Sequence, residues 1–228
     1  MRQKLQHNDL HRAEPTSMMS RRAFSSGLLF SSLATSLVAH AQGSGPTLGQ
    51  SAPDFSALDV AGKSHRLGDF KGKLVVLEWT NPGCPFVRKH YSGDAAGNMQ
   101  TLQKEFTAKG VVWLALNSTE KASADYLAPA KLAGWMGEKM ASPSAVLMDE
   151  SGKIGQLYGA KTTPHMYIIS PAGVLVYAGA IDSVPSARTD DIKTATNYVR
   201  QGLKESLAGR PISLAQSRAY GCSVKYKT

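Results

Sequence analysis

The stretch Leu74-Val75-Val76-Leu77-Glu78-Trp79-Thr80-Asn81-Pro82-Gly83-Cys84-Pro85-Phe86-Val87-Arg88-Lys89-His90-Tyr91 decides how this chain is read. Its short apolar, β-branched opening, with glycine before it, predicts a buried strand. Asn81-Pro82-Gly83 turns the chain. Pro85 suits the first position of a helix, which leaves Cys84 as the N-cap. A sulfur there faces unpaired amides and the positive end of the helix dipole, and both favour thiolate over thiol. Arg88, Lys89 and His90 follow one turn on and add positive potential. Cys84 is therefore a candidate nucleophile. A half-buried structural thiol is the other reading, because free cysteine is among the most buried residue types.

Upstream, the first forty or so residues read as an address and not as fold. Ser20-Arg21-Arg22-Ala23-Phe24 carries a twin-arginine pair, and the mildly apolar run over 27–38 is followed by Ala39-His40-Ala41, a small-x-small cleavage site. This is the pattern of a twin-arginine export signal spanning 1–41, cut after Ala41. The run is shorter than the ~20 residues a span needs and rich in serine, so a stable membrane anchor is not expected. Residues 42–50 are a Gly/Ser/Pro linker, and the remainder fits one domain with a sizeable core. The predicted location is the periplasm.

The net charge is +9, with five Lys/Arg against two Asp/Glu in the leader. The remaining basic residues are scattered. That is ordinary surface charge, not a nucleic-acid footprint. Both cysteines, Cys84 and Cys222, lie beyond the leader. In an oxidising compartment they have one possible pairing within the chain. No His/Cys/Asp/Glu pair has ligand spacing, so neither metal nor cofactor is predicted.

Downstream of Cys84, the helix is predicted to pause near Ser92-Gly93-Asp94 and resume over 98–106, with Met99, Leu102 and Phe106 on one face. Val111 to Asn117 is a second apolar strand with few polar residues, as when both faces are covered. Strand, helix, strand at this spacing predicts a parallel βαβ unit. Residues 123–140 read as a helix kinked or restarted at Pro129. A short strand over 145–148 and a short helix over 154–158, ended by Gly159, follow. Thr162-Thr163-Pro164 then opens a strand, Pro171-Ala172-Gly173 turns it, and residues 174–179 return as a hairpin partner. Residues 191–207 read as a final amphipathic helix with Ile192, Val199, Leu203 and Leu207 among its apolar positions.

The order of these elements resembles the thioredoxin fold, a central mixed sheet flanked by helices. Ala52-Pro53-Asp54-Phe55, Asp59, Gly62-Lys63, Leu67 and Phe70-Lys71-Gly72-Lys73 are similar to the opening of its redoxin and peroxiredoxin-like (AhpC/TSA-type) branch, which begins with an N-terminal β-hairpin. The resemblance implies a redoxin domain over 51–208 and a tail over 209–228. It puts Cys84 at the family's attacking cysteine. It puts Thr163-Pro164 at its cis-proline, where the Thr163 backbone pairs with an extended thiol substrate. Pro85 and Arg88 become substrate-side neighbours, Arg88 with the further reading of facing water. His90 and His165 are possible proton carriers, each with a plain alternative: a surface helix histidine and a strand histidine. Trp79, Trp113 and Trp135 read as core.

Three departures stand out. Position 87 is Val87, so the local second cysteine of thioredoxins is absent. Asn81 and Leu77 stand where peroxiredoxins carry a hydroxyl residue and a proline, and Thr80 is one residue off. Cys222 lies far downstream. The implied activity is an exported thiol oxidoreductase. Cys84 would attack a peroxide or a protein disulfide, Cys222 would resolve the intermediate, and a reducing thiol partner protein would restore the pair. The export machinery is the other implied partner. The alternative is a non-catalytic binding module locked by a Cys84–Cys222 staple.

Overall fold

A computed structural model describes residues 45–93 and 98–227. The export signal and its cleavage site lie outside the described residues. The apolar run around Val75 forms β3 (Val75–Trp79), an interior strand of a seven-stranded mixed sheet of order β2-β1-β5-β4-β3-β7-β8. Its parallel neighbour β4 (Val112–Asn117) aligns Val76 with Trp113 and Trp79 with Leu116, as the βαβ reading required. β5 (Ala145–Met148) continues the parallel set, and β1 (Ser56–Asp59) and β2 (Ser64–Arg66) close that edge as an antiparallel hairpin. On the other side lie β7 (His165–Ile169), antiparallel to β3, and β8 (Leu175–Gly179).

Strand alternation sends side chains into two cores. Val76, Trp113, Ala115, Met166 and Ile168 meet α1 (Pro85–Tyr91), α2 (Asn98–Thr107), α3 (Pro129–Glu138) and α5 (Tyr198–Leu207). Val75, Leu77, Trp79, Leu114 and Ile169 meet α4 (Lys153–Tyr158) and Phe55 on the opposite face. Met99, Leu102 and Phe106 are fully buried along one side of α2, as the periodicity predicted. Trp79 and Trp113 are core, and Trp135 is half-buried against Tyr91.

Two helix expectations are corrected. α3 begins only at Pro129, because residues 123–128 turn through hydrogen bonds such as Tyr126 N–H to the Ser123 carbonyl. The last helix is also shorter. Thr189–Lys193 is a separate 3-10 turn, and α5 starts where Asn197 accepts from the Arg200 amide as N-cap. Leu207 consequently lies exposed at the helix end.

The tail is not an appendage. Residues 215–217 lie along β8, with Ala178 N–H bonded to the Ala215 carbonyl and Ser217 N–H to the Ala178 carbonyl. Farther on, β9 (Cys222–Ser223) pairs antiparallel with β6 (Thr162–Thr163). The Tyr226 ring packs on Gly152 and Gly155, and its hydroxyl donates to the Ala160 carbonyl at 2.6 Å. These contacts run the tail like a strap across the carboxyl ends of the central strands.

Candidate active site

Cys84 caps α1 as expected, with Pro85 in the first turn. Its Asn81–Gly83 approach is fixed locally. The Asn81 side-chain carbonyl accepts from Gly83 N–H at 2.7 Å, while its amide donates to Thr119 at 2.9 Å. Arg88 is exposed, and its Nε donates to the Pro82 carbonyl at 2.7 Å, so it braces the turn. Pro85 is also exposed.

The Thr163–Pro164 peptide is cis. Cys84 Sγ donates to the Thr163 carbonyl at 3.0 Å, which places the sulfur against that bond. Directly opposite Thr163 in the β6–β9 ladder stands Cys222. The two thiols are close enough to perturb one another, and both cysteines are free. Burial pushes the Cys222 thiol up to about 12, with the neighbouring Cys84 next and Asp125 adding to the rise, against a lowering by Lys225. Cys222 therefore keeps its proton at neutral pH.

The open sulfur that a nucleophilic role for Cys84 implies is not what the structure has. Cys84 is 3 % exposed. The Thr163 backbone that was expected to be free for a substrate strand is occupied by the chain's own Cys222. A side chain at Gly221 would run into the Thr163 carbonyl, so the tail's backbone lies directly against this edge. The strap covers the site.

Neither histidine attends the sulfur. His165 stacks on Tyr167 at 4.5 Å on the opposite face of the sheet, and desolvation holds it down at about 4. His90 is fully buried, not a surface helix residue, and desolvation takes it to about 4 as well. Its Nδ1 faces the Asn98 amide at 2.8 Å and its Nε2 faces the Tyr220 hydroxyl at 3.3 Å.

Sequence reasoning missed three buried polar groups. Glu78 sits in β3, on the face that packs against α1. It accepts from Tyr91 at 2.6 Å, Trp113 at 2.8 Å and Gln103 at 3.1 Å. Desolvation nevertheless raises its carboxyl above the usual range. Lys89 and Asp182 are the other two, both fully enclosed. The one available signal was a charged residue inside a run otherwise buried, as at Glu78. The meeting of Lys89 with Asp182 had no local signal. Among the described residues no cluster of His, Cys, Asp and Glu has the makings of a metal site. No helix among them is long and apolar enough to cross a membrane.

A family model described as the AhpC/TSA family matches residues 48–178, which include Cys84 and Pro164 but not the strap. The chain is 31 % identical to the thioredoxin-like protein YneN of Bacillus subtilis over 128 residues, covering 56 % of this chain and 68 % of that one. An uncharacterised conserved protein from Geobacillus kaustophilus superposes with a TM-score of 0.64 at 28 % identity, over 79 % of this chain and 93 % of that one. A hypothetical protein from Sinorhizobium meliloti 1021 reaches a TM-score of 0.69 at 22 % identity, over 80 % and 96 %. The architecture is a thioredoxin-like α/β fold.

Proposed function

Because the chain belongs to the AhpC/TSA family, we propose that it is an exported thiol–disulfide oxidoreductase in which Cys84 attacks and Cys222 resolves. One observation carries this reading: Cys222, remote in sequence, is held opposite Thr163, the residue whose carbonyl accepts from Cys84 Sγ at 3.0 Å. The Cys84 thiolate attacks a substrate disulfide, forming a mixed disulfide and expelling one substrate thiolate. Cys222 then attacks the Cys84 sulfur. Its proton goes to the second substrate thiolate as that leaves. The protein's two thiols become one disulfide, and the substrate disulfide becomes two thiols. A reducing thiol partner returns the pair to the starting state. Thr163 and Pro164 form the wall against which the substrate sulfur sits, with Pro85 and Arg88 at its exposed rim.

A disulfide is favoured over a peroxide because the Asn81 side chain is engaged by Gly83 and Thr119 and offers no hydroxyl to the sulfur. The twin-arginine pair and small-x-small site support export to the periplasm.

The test is stopped-flow oxidation of the reduced chain with glutathione disulfide and, separately, hydrogen peroxide, followed by non-reducing peptide mapping. Rapid formation of a Cys84–Cys222 bond with glutathione disulfide is expected, and Cys222→Ser should halt at the mixed disulfide. If Cys84 remains a thiol with both oxidants, the activity is refuted. Faster closure with peroxide would replace the disulfide with a peroxide as acceptor.

A further inference from the structure

Beyond the two cysteines, we infer that Tyr220 is a positioning residue that sets where Cys222 stands, acting through the buried Asp182 on the helix that carries Cys84. The inference rests on the resolving role proposed for Cys222.

Tyr220 lies two residues before Cys222, and its hydroxyl donates to Asp182 at 2.5 Å. Asp182 is 2 % exposed, and its other carboxylate oxygen has no hydrogen-bond partner among the described residues. That oxygen faces Lys89 Nζ at 3.6 Å, near enough for charge attraction but beyond hydrogen bonding, with the neutral His90 Nε2 at 3.8 Å. Lys89 is itself sealed, donating to the Val184 carbonyl at 3.1 Å. Lys89 and His90 belong to α1, the helix that Cys84 caps. The Tyr220 ring also meets Phe86 of the same helix edge-on at 5.9 Å, and Lys89 lies over it at 5.7 Å.

Attacking and resolving sulfurs are thus referenced to one rigid element. Cys84 stands at its start, and the strap is pinned near its end. The β6–β9 ladder has only two residue pairs. An isolated ladder that small is marginal in water, so the strap needs a second fixed point close to Cys222. A buried carboxylate receiving a hydroxyl is a strong, directional one.

The contribution becomes measurable in the mixed disulfide. There the group attached to Cys84 takes the place where the Cys222 sulfur rests, so the strap is displaced. Closure must re-form the Tyr220–Asp182 hydrogen bond along with the Cys84–Cys222 bond. A variant that lacks the hydroxyl loses that gain on closing.

Tyr220→Phe keeps the ring and removes only the hydroxyl. The reduced full chain is equilibrated with glutathione and its disulfide, quenched in acid, and the mixed and closed disulfides are quantified by mass spectrometry. The closing constant, expressed as a concentration of glutathione, should fall about tenfold. In the reduced protein, alkylation of Cys84 by iodoacetamide should rise by a similar factor as its cover loosens. Amide exchange in β3 and β7 should hold its wild-type rate. An unchanged closing constant overturns the inference, as does a rise in strand exchange parallel to that in alkylation. A wild-type chain that never closes defeats the functional reading instead. The alkylation ratio would then still decide whether Tyr220 anchors the strap.

Discussion

Replacing Gly221 with alanine attacks the strap at the residue that touches Thr163. Gly221 has φ +133°, a conformation that only glycine adopts readily, and an added methyl would collide with the Thr163 carbonyl. Backbone strain of this kind costs on the order of 1–3 kcal/mol. With the collision added, about 2–3 kcal/mol is the reasonable total, which at about 1.4 kcal/mol per tenfold is roughly a 30- to 150-fold effect. The closed Cys84–Cys222 disulfide requires the strained geometry. The displaced strap of the mixed disulfide does not. The penalty therefore falls on the closing step. Glutathione equilibration with acid quench should show the closing constant reduced by that factor, with the mixed disulfide accumulating. Cys84 alkylation in the reduced protein should rise with it, since the strap is its cover. The body of the fold makes no use of position 221, so the far-ultraviolet circular dichroism should match wild type. A closing constant within twofold of wild type would mean that the strap does not rest on Thr163 when the disulfide forms, and the site geometry argued above would be wrong.

Two further outcomes follow from the buried polar groups. Glu78→Ala leaves the Tyr91 hydroxyl, the Trp113 indole N–H and the Gln103 amide without their acceptor, so urea unfolding should show a loss of about 3 kcal/mol or more; a loss under about 1 kcal/mol would contradict the hydrogen-bonded role. His90 is held down at about 4 against 6.5, so its stabilisation is full above pH 6.5 and is lost as the pH falls towards 4. That limb amounts to about 3 kcal/mol and should flatten in His90→Gln, as read by urea midpoints across the pH range.

The parts of this fold that sequence revealed are those decided by neighbours in the chain. Leu74 to Leu77 announces a covered strand because its apolar side chains have to be buried on both faces. Cys84-Pro85 announces a helix start because proline lacks the amide that a first turn leaves unpaired. Thr163-Pro164 was placed beside Cys84 through the family resemblance. The rest depended on distant partners. Lys89 was legible only as positive potential behind Cys84, because nothing near it marks Asp182 as its counter-charge. His90 looked like a surface residue because the tail that covers it returns from the far end of the sequence. The helix expected over 191–207 overran its true start because Ile192 fits the periodicity. The cap at Asn197, whose side chain takes the Arg200 amide, was the stronger local signal and went unused.

The missing thiol at position 87 and the strap are linked by a physical requirement. In a Cys-x-x-Cys centre, one helical turn holds the second sulfur near the first at little further entropic cost. Here the partner comes from a tail whose ordering costs about 1–2 kcal/mol per residue in backbone entropy. Such a tail reacts quickly only if contacts on both sides of its cysteine offset that cost. Before Cys222 there are the Ser217 hydroxyl, bonded to the Ala180 amide at 2.9 Å, and Tyr220 on Asp182. After it come the Glu120 amide, bonded to the Lys225 carbonyl at 2.9 Å, and Tyr226 on the glycines of α4 and its N-cap. The same contacts that bring Cys222 close also bury Cys84. In the proposed cycle a substrate lifts the strap before it meets Cys84, and resolution lays it back. Speed in the second step is therefore gained at the expense of access in the first, and any change that loosens the strap should move the two in opposite directions.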